Sequence, residues 1–87
     1  MSELRNRLDQ LHTTELGVLR IKRNLGLGEN CDVVAYCRAK INDPTTKIEK
    51  IGKNFYATTA KEVITVNASK CSVITAHAVK FNSQRGV

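Results

Sequence analysis

Two histidines, together with a cation and a hydroxyl group, carry side chains that could cleave RNA without a metal ion. Such cleavage needs a base for the 2′-hydroxyl, an acid for the leaving oxygen, and positive charge beside the phosphorane. His12 and His77 can transfer protons, whereas Arg20 and Thr75 can supply charge and a hydrogen bond. These four residues form the candidate catalytic set. Because a lone histidine on a strand is more often structural than catalytic, the set predicts activity only if its members converge in the fold.

A second set of side chains is suited to holding RNA rather than cutting it. Tyrosine stacks on unpaired bases, asparagine hydrogen-bonds to base edges, and lysine or arginine pairs with phosphate. The candidate nucleic-acid-binding residues are Arg20, Arg23, Lys53, Asn54, Tyr56 and Asn67. A local explanation competes for the two arginines, because cations near the C-terminal end of a helix interact favourably with its dipole.

The composition is that of an ordinary soluble globular chain with surplus positive charge. The 87 residues include 14 Lys and Arg against 8 Asp and Glu, which gives a net charge of +6. This surplus favours a polyanionic partner, RNA more than DNA, or else an acidic protein. The apolar runs are far shorter than the roughly 20 residues that span a bilayer, and the N-terminus lacks the apolar core of a signal peptide. We therefore expect a cytoplasmic protein that makes no membrane contact.

The cysteines and histidines predict neither a metal site nor any other cofactor. Cys31 and Cys37 are six residues apart, unlike the closely spaced cysteine pair of a zinc site, and Cys71 stands alone. Neither histidine has a second ligand at helical or strand spacing. We expect three reduced, partly buried thiols.

Helical periodicity dominates residues 1–43. Leu4, Leu8 and Leu11 recur at helical spacing and predict a short first helix that Ser2 can cap. The segment 12–14 interrupts it, and Thr13 or Thr14 is a suitable N-cap for a second helix from Glu15 to about Leu25. The apolar set expected for that helix is Leu16, Val18, Leu19, Ile21 and Leu25. Gly17 lies inside it at a cost of about 1 kcal/mol relative to alanine, which suggests a close approach there.

A third helix is expected from Cys31 to Ile41, capped by Asn30 and ended at Asn42-Asp43-Pro44. From residue 45 the apolar period changes to two. Strands at 47–51 and 54–59 flank a type II′ turn, and a second hairpin occupies 63–79. The predicted fold class is α+β, with two to three N-terminal helices on one face of a four-stranded antiparallel meander at 45–80. Residues 1–87 are expected to form one domain ending in a polar tail at 81–87.

The register of the last hairpin decides whether its polar residues meet. Ile64, Val66, Ile74, Ala76 and Ala78 have one parity and are expected in the core. Thr65, Asn67, Thr75 and His77 have the other parity and are expected on the opposite, open face. An even-sum register, for example Asn67 opposite Cys71, keeps this second set together. A shift of one residue would divide it between the two faces.

Three segments of the chain resemble a small bacterial family. They are LHTTELGVLRIKRNL at 11–25, IGKNFY at 51–56, and ITVNA followed by VITAH within 64–77. The family is a domain of unknown function (DUF3781), common in Firmicutes and their mobile elements, and it brings no assigned activity. The resemblance implies matches to motif positions at His12, Thr14, Glu15, Arg20, Asn24, Lys53, Asn54, Asn67, Thr75 and His77. The order of helices and strands is also distantly similar to small RNase toxins of the barnase, colicin and RelE type.

Three functions remain open from the sequence. The first is an RNA-binding domain, or a metal-independent ribonuclease, that uses the open sheet face. The second is a small interaction or inhibitor protein of a mobile element, which contacts a macromolecular partner through an edge strand or its basic helix. The third is a winged-helix-like DNA binder with its helix-turn-helix within Leu16–Ile41. The third helix argues against it, because Cys31-Asp32-Val33-Val34 is a poor start for a recognition helix.

Overall fold

Residues 4–78 are described by the computed structural model, and three helices precede four strands within that range. A 3₁₀ helix at Arg5–Gln10 is followed by α1 at Glu15–Leu25 and α2 at Val33–Asn42. The strands are β1 at Lys47–Ile51, β2 at Asn54–Thr58, β3 at Glu62–Asn67 and β4 at Ser72–Ala78. They form one antiparallel sheet in the order β1-β2-β3-β4, so the predicted α+β meander is confirmed. The predicted Ser2 cap and the polar tail at 81–87 lie outside the described residues.

Helix α1 begins and ends where its capping residues predict. The hydroxyl of Thr14 accepts a hydrogen bond from the Gly17 amide at 3.0 Å, and Gly26 takes the left-handed conformation with φ of 68°. A Cβ atom on Gly17 would lie 2.2 Å from the Thr13 hydroxyl, which itself donates to the Val73 carbonyl at 2.8 Å. The close approach expected at Gly17 is therefore present, and it fixes α1 against β4.

The apolar face predicted for α1 was wrong at two positions. Leu16 is 70% exposed and Leu19 is 60% exposed, whereas Gly17 and Ile21 are buried. Residues four apart lie above one another on a helix, so Gly17, Ile21 and Leu25 form the inward stripe and the two leucines face away from it. The helix lies beside the sheet and is covered on one side only.

Helix α2 starts two residues later than predicted. Its N-cap is Asp32 rather than Asn30, because the Asp32 carboxylate accepts the Ala35 amide at 3.0 Å. The helix runs from Val33 and ends before Asp43, at the predicted stop. Its buried residues are Val33, Cys37 and Ile41.

One face of the sheet and the three helices enclose the hydrophobic core. The strands contribute Phe55, Ala57, Ile64, Val66, Val73 and Ala76. The helices and their connections contribute Leu4, Leu11, Ile21, Val33, Cys37 and Ile41, and Cys71 completes the cluster from the β3–β4 turn. All three cysteines are free, with Cys37 and Cys71 buried and Cys31 half-buried.

A β-bulge divides β4 into two registers. Thr65 pairs with Thr75 in the even-sum register, but nearer the turn Val66 pairs with Val73 and Asn67 pairs with Ser72. The example pairing of Asn67 with Cys71 was therefore wrong. The turn at 68–71 sets an odd-sum register at the tip, and one extra residue in β4 absorbs the difference.

The extra residue is Ile74, and it corrects the predicted core. Val73 is buried in place of Ile74, which is 39% exposed. Ala78 was also expected in the core and is exposed, because it ends the strand beyond the last covered residue, Ala76. Ile64, Val66 and Ala76 are buried as predicted.

The outer edge of β4 is covered by the chain before α1. The His12 amide donates to the Cys71 carbonyl at 3.2 Å, and the Val73 amide donates to the His12 carbonyl at 2.8 Å. The Asn24 side chain donates to the Ala76 carbonyl at 3.1 Å. Within residues 4–78, by contrast, β1 pairs only with β2 and its outer edge has no neighbouring strand.

Three arginines hold backbone carbonyls and tie distant elements together. Arg5 connects the 3₁₀ helix to the end of α2 and to the loop before β1. Arg7 connects the 3₁₀ helix to the β3–β4 turn. Arg38 connects α2 to the 3₁₀ helix. The acceptors are Ile41, Asp43 and Thr46 for Arg5, Ala68 and Ser69 for Arg7, and Leu8 for Arg38. Part of the basic surplus is therefore structural rather than available to a partner.

Candidate nucleic-acid interface

The face of the sheet opposite the core carries three cross-strand rows of side chains, here called the open face. Residues directly opposite one another in antiparallel strands share a face. The middle row is Glu49, Tyr56, Thr65 and Thr75. One flanking row is Lys47, Thr58, Val63 and His77, and the other, nearest the β1–β2 and β3–β4 turns, is Ile51, Asn54, Asn67 and Ser72. Thr65, Asn67, Thr75 and His77 thus share one face, since the bulge restores the even-sum register after Ile74.

Tyr56 lies in the middle of the open face. It pairs across the strands with Glu49 on one side and Thr65 on the other, and it is half-buried between them. Its hydroxyl has no hydrogen-bond partner within residues 4–78. The ring is therefore supported by its neighbours, and its polar end is available to a ligand.

Helix α1 places cations along the β4 border of the open face. Asn24 lies 3.5 Å from the Thr75 hydroxyl, and Arg20 lies one helical turn before Asn24 on the same side of α1. Arg20 and Arg23 are exposed and have no ion pair or hydrogen bond with any other described residue. Of the predicted catalytic residues, Thr75 lies beside Asn24 of α1, and Arg20 lies one helical turn before Asn24.

The two histidines do not meet. His77 is exposed near the end of β4, whereas His12 pairs with Ser72 at the beginning of that strand. His77 is five positions after Ser72, but Ile74 is the extra residue of the bulge, so the two residues are about 13 Å apart along β4, the rise of four regular strand residues. The Nδ1 atom of His12 lies 3.0 Å from the Gln10 carbonyl oxygen. The two histidines are therefore at opposite ends of β4, and their positions do not support a shared role as acid and base at one phosphate.

A pocket of about 290 Å³ opens between the β1–β2 and β3–β4 turns, and we call it the turn-end pocket. Its lining residues are Lys50, Gly52, Lys53, Asn67, Ala68 and Ser69. Gly52 has φ of 63°, which suits the first central position of the predicted type II′ turn. Sequence reasoning selected Lys53 and Asn67 but missed Lys50, whose parity assigns it to the core face. Lys50 instead lies exposed one residue before the end of the edge strand β1, with its Nζ atom 6.0 Å from the centre of the Phe55 ring.

The part of the chain that forms the open face and the turn-end pocket matches a known protein family. A family model described as Protein of unknown function (DUF3781) matches residues 5–77. The chain belongs to the DUF3781 family. Comparison with curated proteins and with solved structures found no match, and the distant resemblance to RNase toxins is not confirmed. The family match extends from the 3₁₀ helix to His77, so the open face and the turn-end pocket both belong to the DUF3781 domain.

The DUF3781 domain also contains a buried polar cluster that sequence reasoning missed. Glu62 is 5% exposed, and its carboxylate accepts the Tyr36 hydroxyl at 2.5 Å and the Thr59 hydroxyl at 3.1 Å, with Lys40 Nζ at 3.9 Å. Burial, followed by the hydrogen bond to Glu62, raises the pKa of Tyr36 above its ordinary range. The available signal was parity, because Glu62 has the same parity as the core residue Ile64. Since its oxygens are already paired, we interpret the cluster as a structural link between α2 and β3.

Residues 4–78 of this DUF3781 protein contain neither a cluster of metal ligands nor a helix that could span a membrane. No group of three or more His, Cys, Asp and Glu side chains comes together as a metal ion would require. No helix in this range has the length and apolar character needed to cross a bilayer.

Proposed function

We propose that this DUF3781 protein binds single-stranded RNA across the open face of its sheet. The observation that carries the proposal is the position of Tyr56, in the middle row of a sheet face opposite the core. Unpaired bases stack on aromatic side chains presented by such sheets, and each stacked base contributes about 1–3 kcal/mol of binding free energy.

The groups around Tyr56 supply the other contacts that RNA requires. Asn54 and Asn67 are opposite one another in the row nearest the turns, where amides can bond to base edges. Arg20 and Arg23 provide positive charge along the β4 border, and Lys47 provides it on β1. Glu49 is the one carboxylate among the three rows, so the balance of charge favours a polyanion. Cleavage is not part of the proposal, because the two histidines are at opposite ends of β4.

Replacement of Tyr56 tests the proposal. Tyr56→Leu keeps much of the packing but removes the stacking surface, so affinity for a 12-nucleotide RNA should fall by about 5- to 160-fold. Tyr56→Phe retains the ring and should stay within about twofold of wild type. Both affinities are measured by fluorescence anisotropy, and circular dichroism confirms that each variant is folded.

Salt dependence and RNA integrity provide the controls. Arg20→Gln with Arg23→Gln should weaken binding and flatten its dependence on salt, because each lost phosphate contact lowers the salt slope by about 0.7 for single strands. A gel of the recovered RNA should show it intact. An RNA affinity that changes neither with salt concentration nor with Tyr56→Leu would contradict the proposal. An absence of RNA binding at low salt would also contradict it.

The exposed leucines of α1 favour a second candidate function, the docking of an acidic protein partner. Leu16 and Leu19 line a shallow groove of about 200 Å³ together with Arg20 and Arg23. Exposed apolar side chains beside unpaired cations suit an amphipathic segment that carries acidic residues. A pull-down from the native host should then recover one partner in stoichiometric amount. Leu16→Glu with Leu19→Glu should abolish capture of that partner, whereas Tyr56→Leu should not. The reverse pattern would contradict this second candidate function.

A further inference from the structure

We infer that the turn-end pocket holds the terminal phosphate of an RNA strand, an inference that rests on the proposed RNA binding. The RNA proposal concerns the rows of the open face, whereas this pocket lies beyond the last row, between two turns. Its lining, its support and its position each point to an anionic group at the end of a chain.

The lining of the pocket offers hydrogen-bond donors and positive charge. Lys50 and Lys53 are both exposed and line the pocket, and no carboxylate is among its lining residues. The side-chain oxygen of Asn67, Oδ1, already accepts a hydrogen bond from the Lys70 amide at 2.9 Å. The Nδ2 group of Asn67 is therefore left as a donor. Ser69 adds a hydroxyl. A phosphomonoester, with up to two negative charges, matches this set better than a neutral ligand or the single charge of a diester.

The walls of the pocket are fixed before any ligand arrives. The Ala68 amide donates to the Lys53 carbonyl at 2.8 Å and joins the two turns directly. Behind them, Arg7 donates to the Ala68 carbonyl at 2.6 Å and to the Ser69 carbonyl at 3.4 Å. These contacts limit the reorganisation needed for binding, and the Arg7 guanidinium adds a third positive charge close to the site.

The size and position of the pocket favour the end of a strand over its interior. Its volume of about 290 Å³ lies at the lower limit of small-molecule sites, roughly 300 Å³, which suits one phosphate with part of its sugar. Asn67 belongs both to the pocket and to the last row of the open face. An RNA strand that crosses the rows from His77 towards Asn67 would therefore reach the pocket with one of its ends.

The test compares RNAs that differ only at one terminus. Eight-nucleotide RNAs labelled at the 3′ end are prepared with a 5′-phosphate or a 5′-hydroxyl, and a second pair labelled at the 5′ end differs at the 3′ end. Anisotropy should show about tenfold tighter binding for the phosphorylated member of one pair, the effect of a few charge-assisted contacts. The pair that responds identifies which end occupies the pocket.

Variants that remove equal charge inside and outside the pocket distinguish specific phosphate binding in the pocket from general attraction to a basic protein. Lys50→Gln with Lys53→Gln should bring the affinity ratio of phosphorylated to unphosphorylated RNA to about one. Lys47→Gln with Lys61→Gln removes the same charge outside the pocket, so both affinities should fall while the ratio is kept. All four lysines are exposed, and the fold should therefore tolerate either change.

The outcomes also separate this inference from the proposed function. If wild-type protein binds RNA but neither terminal phosphate changes affinity, the pocket inference is overturned and RNA binding stands. If no RNA binds, inorganic phosphate is titrated while the amide resonances of Gly52, Lys53, Asn67 and Ser69 are followed by NMR. Saturating shifts that chloride at equal ionic strength does not reproduce would support a phosphate site in the pocket, whereas its occupation by RNA would be refuted together with the RNA proposal. Shifts identical in both salts would overturn the site itself.

Discussion

Arg5→Ala is expected to lower the free energy of unfolding by about 3 kcal/mol, although the side chain is only half-buried. Its guanidinium donates to the carbonyls of Ile41, Asp43 and Thr46 at 3.0, 2.8 and 2.9 Å. Hydrogen bonds from charged donors each contribute roughly 1.5–3 kcal/mol, and solvent exposure of the Asp43 contact reduces that sum. The variant also leaves carbonyls at the C-terminal end of α2 without their donor. Urea unfolding followed by circular dichroism measures the change.

Two substitutions make the Arg5 result specific. Arg5→Lys should recover only part of the loss, because an ammonium group cannot reproduce the fork of a guanidinium. Arg23→Ala removes the same charge from an exposed site without a described partner and should change stability by less than about 0.5 kcal/mol. If Arg5→Ala and Arg23→Ala destabilise equally, the carbonyl contacts of Arg5 do not hold the fold.

Stability is also expected to fall steeply in alkaline solution, because Cys37 is buried in the core. Burial, with a smaller effect of the Glu62 charge, raises the pKa of the Cys37 thiol from 9.0 to about 12. The unfolded chain then releases this proton at lower pH than the folded chain. The contribution is fully present below pH 9.0 and is lost as pH rises towards 12, at up to about 1.4 kcal/mol per pH unit. The raised pKa of Tyr36 acts in the same direction at higher pH.

The slope of stability against pH, rather than its value at one pH, is the measurement. Urea unfolding of wild type and Cys37→Ala at a series of pH values should give a clearly shallower alkaline decline for the variant. The difference in thiolate absorbance between wild type and Cys37→Ala should develop only as the protein unfolds. Parallel declines for the two proteins would show that Cys37 does not ionise on unfolding.

Local signals in the sequence were sufficient to predict most helix and strand boundaries. Gly26 and Gly52 were predicted correctly, and Thr14 was one of the two caps proposed for α1, because each performs a task set by its immediate neighbours, a cap or a turn. Asn30 was wrong because Asp32 is an equally good cap two residues later, and spacing alone does not choose between them.

The errors in the core arose where distant parts of the chain decide the structure. Leu16 and Leu19 fit a helical period as well as Ile21 does, but only the side of α1 facing β4 is covered. The bulge at Ile74 depends on the length of the β3–β4 turn, which periodicity does not report. The carbonyl contacts of Arg5 span 36 to 41 residues, beyond the reach of any local pattern.

The candidate site was predictable in part, for the same reason. With an even-sum register, parity predicted that Thr65, Asn67, Thr75 and His77 share one face. The structure has the even-sum register for the pairs from Thr65–Thr75 onward, and the bulge at Ile74 keeps Asn67 on the same face. His12 could not be placed, because its position depends on pairing with Ser72 across 60 residues. Lys50 was missed because parity describes a strand interior and not the end of an edge strand.

The unequal edges of the sheet set a limit on how this protein can assemble. Within residues 4–78, His12 and α1 close the β4 side, and β1 alone presents an unpaired edge bearing Lys47, Glu49 and Lys50. A sheet with two free edges can add copies without end, as a fibril does. A sheet with one free edge can be extended once, by a donated strand or by a second copy, and growth then stops. Pairing through the sheet edges of residues 4–78 is therefore expected to end after one addition, and open-ended growth would first require His12 to leave β4.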